Sequence, residues 1–250
     1  MKSVCAVAIM TIALTGCALK PLTQGYDGGA SCSATPDKEH ELNLNLARQM
    51  VDEGRLYAAL ANLQGMAQDA PDVRLAEAKI MRKIGRPEAQ ALYQSLVGTC
   101  LAGAGEHGLG QLAVASGDTE EGLQRMQTAA RMMPTDAQVR NDLGVVLMHL
   151  GRTDEARFEF LTAIELSRAD TLPALNLTAL MFYENKWQEA GELASRFSLS
   201  ADQVREAEAR ARELRGNSSA PVQLGDNNAA QPKAVAGLQQ AAVQIEQGVE

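Results

Sequence analysis

The stretch Arg140-Asn141-Asp142-Leu143-Gly144-Val145-Val146-Leu147-Met148-His149-Leu150-Gly151, continuing through Arg152-Thr153-Asp154-Glu155-Ala156-Arg157-Phe158-Glu159-Phe160, decides the fold. Val139, Leu143, Val146, Leu147 and Leu150 share one face at helical spacing, and Thr135 with Gln138 reads as a capping box ahead of them. Gly151 ends that helix. Asp154 and Glu155 open the next one, where acidic side chains suit the positive end of the helix dipole. No strand-like alternation of useful length occurs anywhere in the chain, so the class is all-α.

Working outward, the same punctuation returns. Gly117 lies 34 residues before Gly151, and Asn185 lies 34 after it. Units counted from Gly103, Ala137 and Thr171 place Leu109, Leu143 and Leu177 seventh, then Gly110, Gly144 and Thr178 eighth. Gly122, Ala156 and Ala190 come twentieth, and Pro134 closes the first of these units. Small residues at the eighth and twentieth positions sit where two helices of a hairpin must approach closely. Counting from His40 puts Leu46, Ala47, Met50, Gly54, Ala59, Leu63, Met66 and Pro71 on the same template. Between this unit and Gly103 lies a degenerate one. There Gly85, Ala89 and Tyr93 echo Gly151, Ala156 and Phe160 with one residue missing.

This pattern of Leu-Gly, then Ala, then an aromatic, then Pro resembles the tetratricopeptide repeat, a 34-residue helix-turn-helix unit that stacks into a solenoid. The resemblance implies about five units over residues 39–204. It also implies a concave groove lined by the first helix of each unit. Carried onto the well-matched units, the inward positions are Arg48, His107, Gln111, Asn141, Val145, Met148, Asn176, Phe182 and Tyr183. These mix apolar groups with a few amides and lack the paired Lys and Asn of the carboxylate-clamp subgroup. A partner peptide laid in a partly apolar channel is therefore expected. Thr178 departs from the family glycine.

The N-terminus is read as residues 1–16 of a lipoprotein signal. Lys2 precedes an apolar run from Val4 to Leu14, too short to span a bilayer that needs ~20 residues. The run ends in Leu14-Thr15-Gly16-Cys17, which looks like a bacterial lipobox; the alternative is an ordinary cleavable signal in which Cys17 is incidental. With Ala18 rather than Asp after the lipidated Cys17, similarity to bacterial lipoproteins implies an outer-membrane address facing the periplasm. Residues 17–38, rich in Gly, Ser and Pro, read as a flexible tether. Cys32 and Cys100 then remain as thiols. They either pair, as an oxidising compartment allows, or stay free, and their spacing does not decide between the two.

Residues 205–215 are read as a charged capping helix, with Ser200 and Gln203 spaced as a capping box ahead of it. Residues 216–250, poor in large apolar side chains at their start, are expected to be a disordered tail. Val235, Leu238, Ala242 and Ile245 could form one docking face there or simply fray.

Chemistry is scarce. A net charge of -8 argues against nucleic acid, because phosphate binding needs a basic stripe. Gly103-Ala104-Gly105-Glu106-His107-Gly108 has the spacing of a dinucleotide loop but lacks the strand that such a loop follows. His40, His107 and His149 have no partners at metal-ligand or triad spacing, so no metal, cofactor or catalytic residue is expected. Trp187 reads as a core residue between helices. The run from Arg140 to Phe160, together with a lipobox and five units, resembles the TadD-type lipoproteins of the tight-adherence (Flp) pilus. That resemblance implies a protein partner such as the pilus secretin. Adaptors in β-barrel assembly or of a peptidoglycan enzyme or protease share the same architecture.

Overall fold

The computed structural model describes residues 38–167 and 169–216. The signal segment, Cys17, the tether with Cys32 and the tail beyond Gly216 lie outside the described residues. Eleven helices are described, and no strand is found among those residues. They pair as α1 (Lys38–Asp52) with α2 (Leu56–Gln64), α3 (Pro71–Lys83) with α4 (Glu88–Leu96), and α5 (Ala102–Ala115) with α6 (Thr119–Met132). Next come α7 (Ala137–His149) with α8 (Thr153–Leu166) and α9 (Leu172–Tyr183) with α10 (Trp187–Arg196), and α11 (Ala201–Gly216) closes the array. No helix among the described residues is long and apolar enough to cross a membrane.

One device makes all five hairpins. The first helix of each pair ends on a residue in the left-handed region: Gly54 (φ 76°), Gly85 (73°), Gly117 (93°), Gly151 (72°) and Asn185 (62°). Each turn carries the same two hydrogen bonds. Gly151 N–H donates to the Met148 carbonyl at 3.1 Å, and Arg152 N–H reaches back to Leu147 at 2.9 Å. Gly85 N–H donates to Arg82 at 3.1 Å and Arg86 N–H to Met81 at 2.8 Å. This 6→1, 5→2 pattern satisfies carbonyls that a helix end leaves open, and it favours glycine because a Cβ crowds the αL conformation. The 34-residue echo is therefore the spacing of hairpin turns. The second unit, degenerate by template, is a complete helix pair whose turn comes 31 residues after Gly54 and 32 before Gly117.

Close approach within a pair is bought with missing side chains. A Cβ on Gly144 would sit 2.7 Å from the ring of Phe160, and one on Gly110 would sit 2.9 Å from Met126. Phe160 and Met126 are fully buried, so neither can yield much. Thr178, at the equivalent eighth position of the fifth unit, is also buried and returns its hydroxyl to the Ala174 carbonyl at 2.8 Å. Ion pairs clamp two successive hairpins at one offset with the charges exchanged. Arg125 meets Glu106 at 3.0 Å in the third unit, and Arg140 meets Glu159 at 3.0 Å in the fourth.

Two local expectations are corrected. The α7 cap is Asp136, whose carboxylate accepts from Val139 N–H at 3.0 Å, so Thr135 lies one residue before the cap. Trp187 is half exposed at the start of α10, its ring tilted at 49° against Phe182 with centroids 5.1 Å apart, rather than inserted between helices. The Ser200–Gln203 capping box forms as read. Ser200 N–H donates to Gln203 Oε1 at 2.8 Å, Gln203 N–H donates to Ser200 Oγ at 3.2 Å, and the helix begins at Ala201.

Candidate functional site

The left-handed residues supply a common ruler for the first helices. Six residues before each of them stand Arg48, Lys79, Gln111, Val145 and Ala179. Three before stand Val51, Arg82, Val114, Met148 and Phe182; two before stand Asp52, Lys83, Ala115, His149 and Tyr183. Val145, Met148 and His149 line a crevice of about 40 Å³ closed by Arg210, Glu213 and Leu214 of α11. These three register positions therefore mark the concave side.

From the third unit onward that side is spent on internal bonding. Asp142, fully buried, accepts from His107 Nε2 at 2.8 Å, from Gln111 Nε2 at 2.8 Å and from Asn141 Nδ2 at 3.2 Å. Asn141 Oδ1 accepts from Asn176 Nδ2 at 2.8 Å, and Asn176 Oδ1 accepts from Arg210 Nη1 at 2.6 Å. A carboxylate can only accept and a guanidinium can only donate, so the two ends orient both amides between them. The ladder crosses α5, α7, α9 and α11, with two side chains each from α5 and α7 and one each from α9 and α11.

Helix α11 occupies the groove at that end. Earlier first helices pack on the second helix before them, as α7 does on α6 and α9 on α8; α11 packs on α9 instead. Ala207 and Ala211 lie buried against Leu175, Ala179 and Phe182. Arg215 donates to the carbonyls of Phe182 and Tyr183 at the open end of α9. Burial beneath α11 pushes the His149 imidazole below its ordinary 6.5, and Glu213 pulls the other way.

Of the nine residues expected to line the groove, seven are thus buried: His107, Gln111, Asn141, Val145, Met148, Asn176 and Phe182. Tyr183 is half-buried, and Arg48 is exposed in the first unit. Register counting also brings in Lys79, Arg82 and Lys83, which template alignment missed because the second unit is short. The signal that finds them is Gly85, six, three and two residues further on. Cys100 is disulfide-bonded.

Residues 113–181 match the tetratricopeptide repeat family. The TPR repeat-containing protein PA4299 of Pseudomonas aeruginosa is 44% identical over 212 residues, which is 85% of this chain and 85% of that protein. The solved structure of TTC0263, a thermophilic TPR protein of Thermus thermophilus, is similar at a TM-score of 0.56 and 22% identity, over 71% of this chain and 99% of its own. That of Pseudomonas aeruginosa PilF is similar at a TM-score of 0.55 and 17% identity, over 81% and 96% respectively. At those identities the two structures speak to the fold alone.

Proposed function

This chain belongs to the tetratricopeptide-repeat family, and on that premise we propose that it is an outer-membrane lipoprotein adaptor, facing the periplasm, that assists assembly or targeting of the Flp pilus secretin. Its fold suits protein–protein binding through the concave face. The family's members are generally scaffolds rather than enzymes. The observation that carries the finer reading is sequence-borne: the lipobox ending in Cys17 stands ahead of a repeat array whose fourth unit resembles TadD-type lipoproteins. A disulfide at Cys100 supports an oxidising compartment. We expect Cys32 to be its partner, since Cys5 leaves with the signal and Cys17 takes lipid.

Two measurements test this. Replacing Cys17 by Ser should move the protein from the membrane fraction to the soluble one, and deleting the gene should abolish secretin multimers and surface fibres. Unchanged multimers and fibres would overturn the pilus role. A lethal deletion with co-purification of a large barrel protein would replace it by barrel assembly. Loss of a peptidoglycan hydrolase with fibres intact would point to the cell wall.

A further inference from the structure

We propose that the N-terminal half of the groove, which α11 does not cover, grips an acidic peptide segment of the protein partner, through Arg48 on α1 and Lys79 and Lys83 on α3. The proposal rests on the adaptor reading and names the chemistry of what is adapted. Its ground is the repeat register. On α7 the three concave positions are Val145, Met148 and His149, beneath α11. On α3 the same positions are Lys79, Arg82 and Lys83, and on α1 the first of them is Arg48. The α11 helix packs on α9 and reaches α7, so it leaves α1 and α3 uncovered.

Of these, Arg48, Lys79 and Lys83 make no ion pair among the described residues. Lys79 is exposed and Lys83 half-buried, and neither makes a hydrogen bond or ion pair among the described residues. Arg48 donates to Asn45 on its own helix at 2.7 Å. Desolvation by the surrounding protein is the main force lowering the Lys79 ammonium pKa; Asp136 raises it, and Arg82, Arg48 and Lys83 lower it by smaller amounts. Asp136 is occupied capping α7, while Asp52, at the same register of α1 as Lys83, already has a partner, as Arg82 does. Cations thus outnumber carboxylates on this face of a chain of net charge -8, and an anionic ligand relieves their mutual repulsion. Lys79 and Lys83 stand one turn apart on α3, with Arg48 of the neighbouring α1 close enough to act on Lys79. That spacing fits successive carboxylates along a peptide better than one compact anion.

The test is binding of a fluorescent oligoglutamate peptide to the full chain, with oligolysine and phosphatidylglycerol vesicles as comparison probes. Arg48→Glu/Lys79→Glu should weaken oligoglutamate binding by roughly tenfold or more, and rising salt should weaken it in the parent protein. Arg131→Glu/Arg196→Glu makes the same charge change at exposed positions elsewhere and should leave most of the binding. Equal loss in both variants, no loss in the first, or no oligoglutamate binding at all would overturn the proposal. So would vesicles that bind through Arg48 and Lys79 in preference to the peptide. A partner photo-crosslinked from Tyr183 whose capture ignores Arg48→Glu/Lys79→Glu would leave the adaptor reading standing and remove this one.

Discussion

Gly151 and Asn185 do the same work with different chemistry. Both hold αL turns, but only asparagine carries a Cβ against that conformation. Gly151→Ala should lower stability by about 1 kcal/mol, with nothing within 4 Å of the new methyl to blame for it. Asn185→Gly should be neutral or slightly stabilising, and urea midpoints of the two variants check the contrast. Gly144 is different, because its cost is steric. Its helical φ would welcome alanine, yet the new Cβ meets the immobile Phe160 ring, so Gly144→Ala should lose about 1–3 kcal/mol in the same assay. The positions of both glycines were legible in the sequence as punctuation. Their separate reasons were not, since one depends on a local dihedral and the other on what the facing helix places opposite.

At the scale of elements, α11 is more than a solvating end. It lies along α9, faces α7 across a small crevice and completes a polar ladder through Arg210. His149 reports on that contact. Burial holds its pKa below 6.5, so the unfolded chain takes up a proton more readily than the folded one. The contribution of this site is therefore fully present above about pH 6.5 and shrinks as pH falls through that value toward the lower folded pKa. His149→Gln should flatten the decline of stability just below pH 6.5, as read by thermal melts across pH. Unaltered slopes would show that α11 does not bury the imidazole in solution. The charged pattern over 205–215 made the helix legible. Its seat in the groove was not, because a helix with only alanines buried carries almost no hydrophobic stripe to aim it.

Across the whole molecule the concave face divides in two. Units three to five are internally bonded, and Asp142 is where that bonding converges. Asp142→Ala would strand donors from His107, Gln111 and Asn141 in a buried site, a loss of about 3 kcal/mol or more that should also loosen the packing of neighbouring units. Hydrogen exchange should show protection falling together in α5, α7 and α9; a loss confined to α7 would mean the ladder does not couple units. Among the described residues nothing covers the concave positions of units one and two, where Arg48, Lys79 and Lys83 stand. The sequence by itself determined the helix pairs, their turns and the rank of each first-helix position, because those follow from local periodicity and the αL demand for glycine. Only the tertiary structure decided which of those positions are free. Burial at Asn141 or exposure at Lys79 depends on how tightly successive pairs curl and on what covers them, and the second unit's shortened period hid Lys79 until Gly85 was seen to set its register.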